Sequence, residues 1–152
     1  MTIKKILIAY YSKTGNTKKV AEKISKILNA DIDDIIDKTN REGIKGWVLG
    51  GRDAMKEKET EIEYKKDPSK YNVVIIGTPV WAFTLTPAVR TYLKDNKKIK
   101  KVAFFCTNGG VPGKTFSEME NLCKKPIVTL SIKENELDSS EIKIKEFCNK
   151  IK

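Results

Sequence analysis

The stretch SKTGNT, residues 12–17, decides the fold of this chain, because it lies where an apolar run gives way to a helical stripe. Before it comes ILIAYY, residues 6–11, a continuous apolar run of the kind that fills a strand buried on both faces. After it, Val20, Ala21, Ile24, Ile27 and Leu28 recur at helical spacing. Between them sit the hydroxyls of Ser12, Thr14 and Thr17, the amide of Asn16, and Lys13 and Gly15. Such a turn can wrap a phosphate with hydroxyls and backbone N–H groups, while the helix N-terminus adds its positive dipole end. The loop lacks the GK[ST] ending of a nucleoside-triphosphate loop and carries no carboxylate. It therefore suits a phosphomonoester held without Mg²⁺. Taken alone, it also reads as an ordinary strand–helix turn with a Ser/Thr cap.

Working outward, strand and helix patterns alternate to the end of the chain. The first strand covers residues 4–11 and the first helix 16–28, followed by a weaker strand at 31–36 with Ile32, Ile35 and Ile36. Residues 44–58 carry Trp47, Gly50, Gly51 and Ala54 at helical spacing, and 60–64 alternate as a short edge segment. A third main strand spans 71–77, with the buried run Val73 to Ile76. Thr86 as cap and Pro87 at the first position open the next helix, which continues through Val89, Tyr92 and Leu93. The fourth strand spans 102–106; Thr115 to Glu118 then read as a capping box for a helix through Met119 and Leu122. A fifth strand at 127–132 and a helix at 139–151 close the pattern. Alternation of this kind predicts a doubly wound five-stranded parallel sheet with helices on both faces, and in the order 2-1-3-4-5 the first, third and fourth strands are neighbours. Ligands of such sheets lie beyond the carboxyl ends of the strands, at the switch in strand order. The loops 12–17, 78–86 and 107–114 converge there.

Composition narrows the function. A chain of 152 residues with 39% hydrophobic residues is expected to form one domain over residues 1–152. No apolar run approaches the ~20 residues of a membrane span, and no cationic-then-apolar leader opens the chain, so a cytoplasmic location is expected. Three cysteines without CxxC spacing argue against a disulfide framework, an iron–sulfur site or a zinc site. The absence of histidine removes the commonest general base and most metal sites, so no catalytic or metal-ligating residue is expected and the chemistry falls to a bound cofactor. The net charge of +10 points to acidic partners or nucleic acid, but the lysines are scattered as pairs, and a solvated surface is the preferred reading.

The second loop, TPVWAFTLT, places Trp81 and Phe83 beyond the buried run, as a lid over the core or a stacking platform for a flat ligand. The third, TNGGVPG, has glycines able to adopt positive φ and free N–H groups for a carbonyl edge. Together the loops describe a flat heterocycle with a phosphate tail. On these residues the chain resembles the flavodoxin family: Tyr10, Ser12, Gly15, Thr17, Ala21 and Ile24 stand at positions of its phosphate-loop signature, while Ala9 departs from it. GTPVW and TNGG resemble its two flavin-flanking loops, and the likeness covers essentially the whole chain.

The resemblance implies a flavodoxin-like fold in its short form and non-covalent FMN. Ser12, Thr14, Asn16 and Thr17 would bind the phosphate, with Lys13 and Gly15 adding backbone donors. Trp81 would stack on the isoalloxazine. Thr78, Pro79 and Ala82 would line its edge, with Val80 and Phe83 completing that loop's cofactor-binding set. Thr107, Asn108, Gly109 and Gly110 would meet the pyrimidine side. Three departures stand out: the chain is basic where the family's carriers are acidic, TNGGVPG lacks the tyrosine that often covers the outer flavin face, and Ala82 stands where many relatives have glycine. The basic shell implies a less negative reduction potential than in acidic relatives. The leading expectation is an electron carrier between redox partner proteins, acidic ones suiting the basic surface, with no membrane and no nucleic acid. An FMN-dependent NAD(P)H:quinone or flavin reductase is the alternative, and a non-redox basic binding module the second.

Overall fold

The computed structural model describes residues 4–39, 51–52 and 59–152. In chain order, Ile6–Tyr10 (β1) leads into helix Asn16–Leu28 (α1), then Asp31–Asp34 (β2), Ile36–Asp37 (β3) and Ile62–Glu63 (β4). Val73–Trp81 (β5), Thr84–Leu85 (β6), Pro87–Asp95 (α2), Val102–Asn108 (β7), Thr115–Leu122 (α3), Thr129–Lys133 (β8) and Glu141–Ile151 (α4) follow. The main sheet runs β2-β1-β5-β7-β8, all parallel, which is the expected 2-1-3-4-5 order. The helical expectation for 44–58 lies outside the described residues except at Gly51 and Arg52, which are helical. The segment at 60–64 does not join the main sheet; β4 pairs antiparallel with β3 as a two-stranded ribbon.

The two faces follow from period-two alternation along buried strands. Ile6, Ile8 and Tyr10 face a cluster with Val20, Ala21 and Ile24 of α1 and Ile144, Phe147 and Ile151 of α4. Leu7, Ala9 and Tyr11 face the opposite cluster, with Ala88, Val89, Tyr92 and Leu93 of α2 and Met119 of α3. Helix α1 stops at Asn29, whose φ of 52° allows the Ala30 N–H to close back on the Ser25 carbonyl at 3.2 Å.

Gly77 lies against a neighbouring ring in the middle of the sheet. It pairs with Tyr10 on one side and Phe105 on the other, and a Cβ placed there would overlap the buried Phe105 ring. Gly77→Ala is therefore expected to cost about 1–3 kcal/mol, read as a lowered urea midpoint at unchanged slope.

Three sequence expectations are corrected. The third main strand does not end at Gly77 but runs to Trp81 and turns back through β6, so residues 78–86 are a hairpin and not an open loop. Thr86 holds the cap position of α2 without a side-chain cap bond; its N–H donates to Thr78 Oγ1 at 3.2 Å, and the two hydroxyls lie 3.3 Å apart. The capping box at Thr115 is not formed. Lys114 holds the cap position, Thr115 Oγ1 donates to the Pro112 carbonyl at 2.6 Å, and Glu118 turns to Arg90. The charge-assisted partner wins over the backbone amide.

Candidate functional site

The carboxyl ends of β1, β5 and β7 open on one cleft of about 240 Å³, lined by Lys13, Thr14, Thr17, Pro79, Val80, Trp81, Thr107, Gly109 and Glu134. The three expected loops do converge. The first is shaped by Gly15, at φ 99°, whose N–H donates to Ser12 Oγ at 3.1 Å. An L side chain rarely adopts that φ. The ladder of α1 begins where the Lys19 N–H donates to the Gly15 carbonyl at 3.0 Å, so the N–H groups of Asn16, Thr17 and Lys18 have no acceptor inside the helix. No side chain caps this end and no acid stands in its first turn. These are the conditions under which a helix start holds an anion.

Thr17 is buried beneath the cleft, and its Oγ1 lies 2.9 Å from Thr107 Oγ1, joining the first loop to the third. Thr78 is also buried, but its hydroxyl donates to the Pro79 carbonyl at 2.8 Å and braces the hairpin. Asn108 Nδ2 donates to Ser131 Oγ at 2.8 Å, and its Oδ1 accepts the Gly110 N–H at 3.1 Å, so this side chain shapes the third loop. Of the third loop's glycines Gly113 uses positive φ, at 60°, and Gly109 and Gly110 do not.

Trp81, read from the sequence as exposed and as either a lid over the core or a stacking platform, is 6% exposed and stands edge-on to Tyr11 with centroids 5.6 Å apart and planes at 88°. Extension of β5 draws it into the core cluster, and it still forms one wall of the cleft. Phe83, at the hairpin tip, is 66% exposed and is not among the lining residues. Neither are Ser12, Gly15, Asn16, Ala82 and Gly110.

Two features escaped the sequence reading. Glu134 enters the cleft from the turn after β8, a fourth carboxyl end that no motif flags. Glu118, behind the hairpin, is reached by Thr84, Arg90 and Lys114; burial pushes its carboxyl up, but those three partners together hold it below the usual carboxylate value. Cys106 is fully buried, and burial pushes its thiol up, against its bonds with Ser131 and Asn108.

Fold and cleft together define a doubly wound α/β protein with its cleft at the switch point of the sheet. The flavodoxin family model matches residues 5–151, and the chain belongs to the flavodoxin family. Among solved structures it is similar to a flavoprotein from Lactobacillus acidophilus NCFM in complex with FMN, at 27% identity over 90% of this chain and 97% of that one, TM-score 0.69. Flavodoxin 2 from Bacillus cereus shares the fold at 21% identity, covering 96% of this chain and 99% of that one, TM-score 0.57. So does a WrbA-like flavodoxin from Agrobacterium tumefaciens, at 12% identity, 96% coverage of each chain and TM-score 0.57. A search of curated protein sequences finds no match. No helix among the described residues is long and apolar enough to cross a membrane.

Proposed function

We propose that the protein is an electron carrier that binds FMN non-covalently in this cleft. The observation that carries the reading is the meeting, in one cleft, of an acid-free helix start opened by Gly15 and an aromatic wall at Trp81. The residues present fit the cofactor. Thr14 and Thr17, with the free N–H groups at the start of α1, would hold the phosphate, and Ser12 would shape the turn through its bond with the Gly15 N–H. Glu134 offers an acceptor for ribityl hydroxyls, Trp81 and Val80 an apolar wall for the ring, and Thr107 and Gly109 polar groups at its pyrimidine edge. Bound flavin supplies one- and two-electron chemistry; the chain's own part is to bind it, orient it and set the charge around it.

The net charge of +10 makes acidic redox proteins the preferred partners, through faster encounter and register more than through affinity. A reductase acting on NAD(P)H and a quinone or a second flavin is the alternative reading. It is favoured by one observation: the exposed 109–111 tip offers only Gly109, Gly110 and Val111, and no aromatic side chain to cover the outer flavin face. The visible spectrum of the purified protein and an FMN titration test the site. We expect flavin bands and quenched flavin fluorescence, with NADH oxidation in the presence of a quinone no faster than for free FMN. Catalysed NADH oxidation would replace carrier by reductase. Salt-sensitive nucleic-acid binding without flavin would replace both.

A further inference from the structure

One carboxylate sits behind both flavin-flanking loops. Glu118 Oε2 accepts from Thr84 Oγ1 in β6 and from Arg90 Nη2 in α2, the latter at 2.6 Å, while Oε1 lies 3.2 Å from Lys114 Nζ. The Arg90 and Glu118 side chains are only 5% and 14% exposed. At the front of the same assembly, the Lys114 N–H donates to the Phe83 carbonyl at 2.8 Å, and a Cβ at Gly113 would collide with that carbonyl. The hairpin tip held there is strained. Trp81 pairs with Thr84, so Ala82 and Phe83 form a two-residue turn with φ of 50° and 64°, a conformation that favours Asn-Gly.

From this arrangement we propose that Glu118 is a positioning residue, clamping the 78–86 hairpin and the 109–114 turn into one rigid unit around the flavin ring; the proposal rests on the FMN reading above. Stability alone does not account for the pair. A buried ion pair repays its desolvation only with full hydrogen bonding, and an apolar pair of the same volume is often as stable. Arg90 Nε has no acceptor among the described residues, so this pair is not fully satisfied. What the charges provide and apolar side chains would not is direction. One carboxylate fixes Thr84, Arg90 and Lys114 at once, and through them the strained tip and the turn that supports it.

Two variants test the clamp. Glu118→Gln removes the charge. Thr84→Val, which keeps the Arg90–Glu118 pair, serves if the first folds poorly. In flavin-free protein, amide hydrogen exchange is expected to quicken about tenfold or more in residues 81–85 and 109–115 together, with residues 15–19 unchanged. In flavin titrations, FMN and riboflavin are expected to weaken by the same factor, about tenfold, because the phosphate loop is untouched, and the reduction potential of bound flavin shifts. Exchange that rises in only one segment, or an affinity loss confined to FMN, overturns the clamp. So does a lowered melting temperature with unchanged loop exchange, affinity and potential. If the unaltered protein binds no flavin, the FMN reading fails by itself, and coupled exchange of the two segments alone decides the clamp.

Discussion

The Trp81→Ala variant is expected to lose about 3–5 kcal/mol of stability and, in whatever fraction stays folded, most of its affinity for FMN. Both losses come from one side chain with two faces. One face is core: Trp81 packs with Leu85, Ala88 and Val89 in the cluster beneath α2. Its edge-on contact with Tyr11 adds about 0.5–1.5 kcal/mol beyond area burial. The other face is a wall of the cleft. Trp81→Phe separates the two, since a phenyl ring keeps much of the packing and less of the flat surface. We expect the phenylalanine variant to unfold in urea close to the unaltered protein while binding FMN more weakly. If both variants lower stability and the folded protein binds FMN undiminished, Trp81 is core alone and the flavin ring lies against other residues.

That double role also shows where sequence reasoning stopped. Apolar runs and their alternation carry information about where strands lie, and they locate the buried runs of β1, β5 and β7 and their parallel order, but not the carboxyl end of β5. The hairpin at 78–86 was not legible. Its tip is Ala-Phe, where two-residue turns of this type favour Asn-Gly, and only Gly113 and the Phe83–Lys114 bond reveal how the tip is held. Once the strand continues to Trp81, the indole is drawn inward, so a wrong strand end became a wrong exposure. Glu118 misled in a different way. A Thr-x-x-Glu pattern before an apolar stripe is a local signal, but Arg90 and Thr84 reach it from residues distant in sequence. Glu134 follows a strand with no turn signature, and only the sheet order brings it to the cleft. The turn at 12–17 is the most local of these features: a glycine in the left-handed region, hydroxyls and a helix start lie within six residues.

The phosphate loop also carries the other large effect. Riboflavin, which lacks only the phosphate, is expected to bind at least about 3 kcal/mol more weakly than FMN, since each charge-assisted hydrogen bond contributes about 1.5–3 kcal/mol and the loop offers several. Thr17 makes this attributable to a residue. Its hydroxyl can accept from Thr107 Oγ1 at 2.9 Å and keep its own proton to donate toward the phosphate. Thr17→Ala should therefore narrow the gap between FMN and riboflavin by about 1.5–3 kcal/mol, leaving riboflavin affinity nearly unchanged, whereas Thr17→Ser should keep the full gap. Such a cycle cancels any general loosening of the fold, which would weaken both ligands alike. An equal loss for the two ligands would mean that Thr17 acts through Thr107 and the third loop. Equal affinity of the unaltered protein for FMN and riboflavin would mean that the start of α1 holds no phosphate at all. The gap, more than the absolute affinity, is thus what ties the cofactor's tail to SKTGNT.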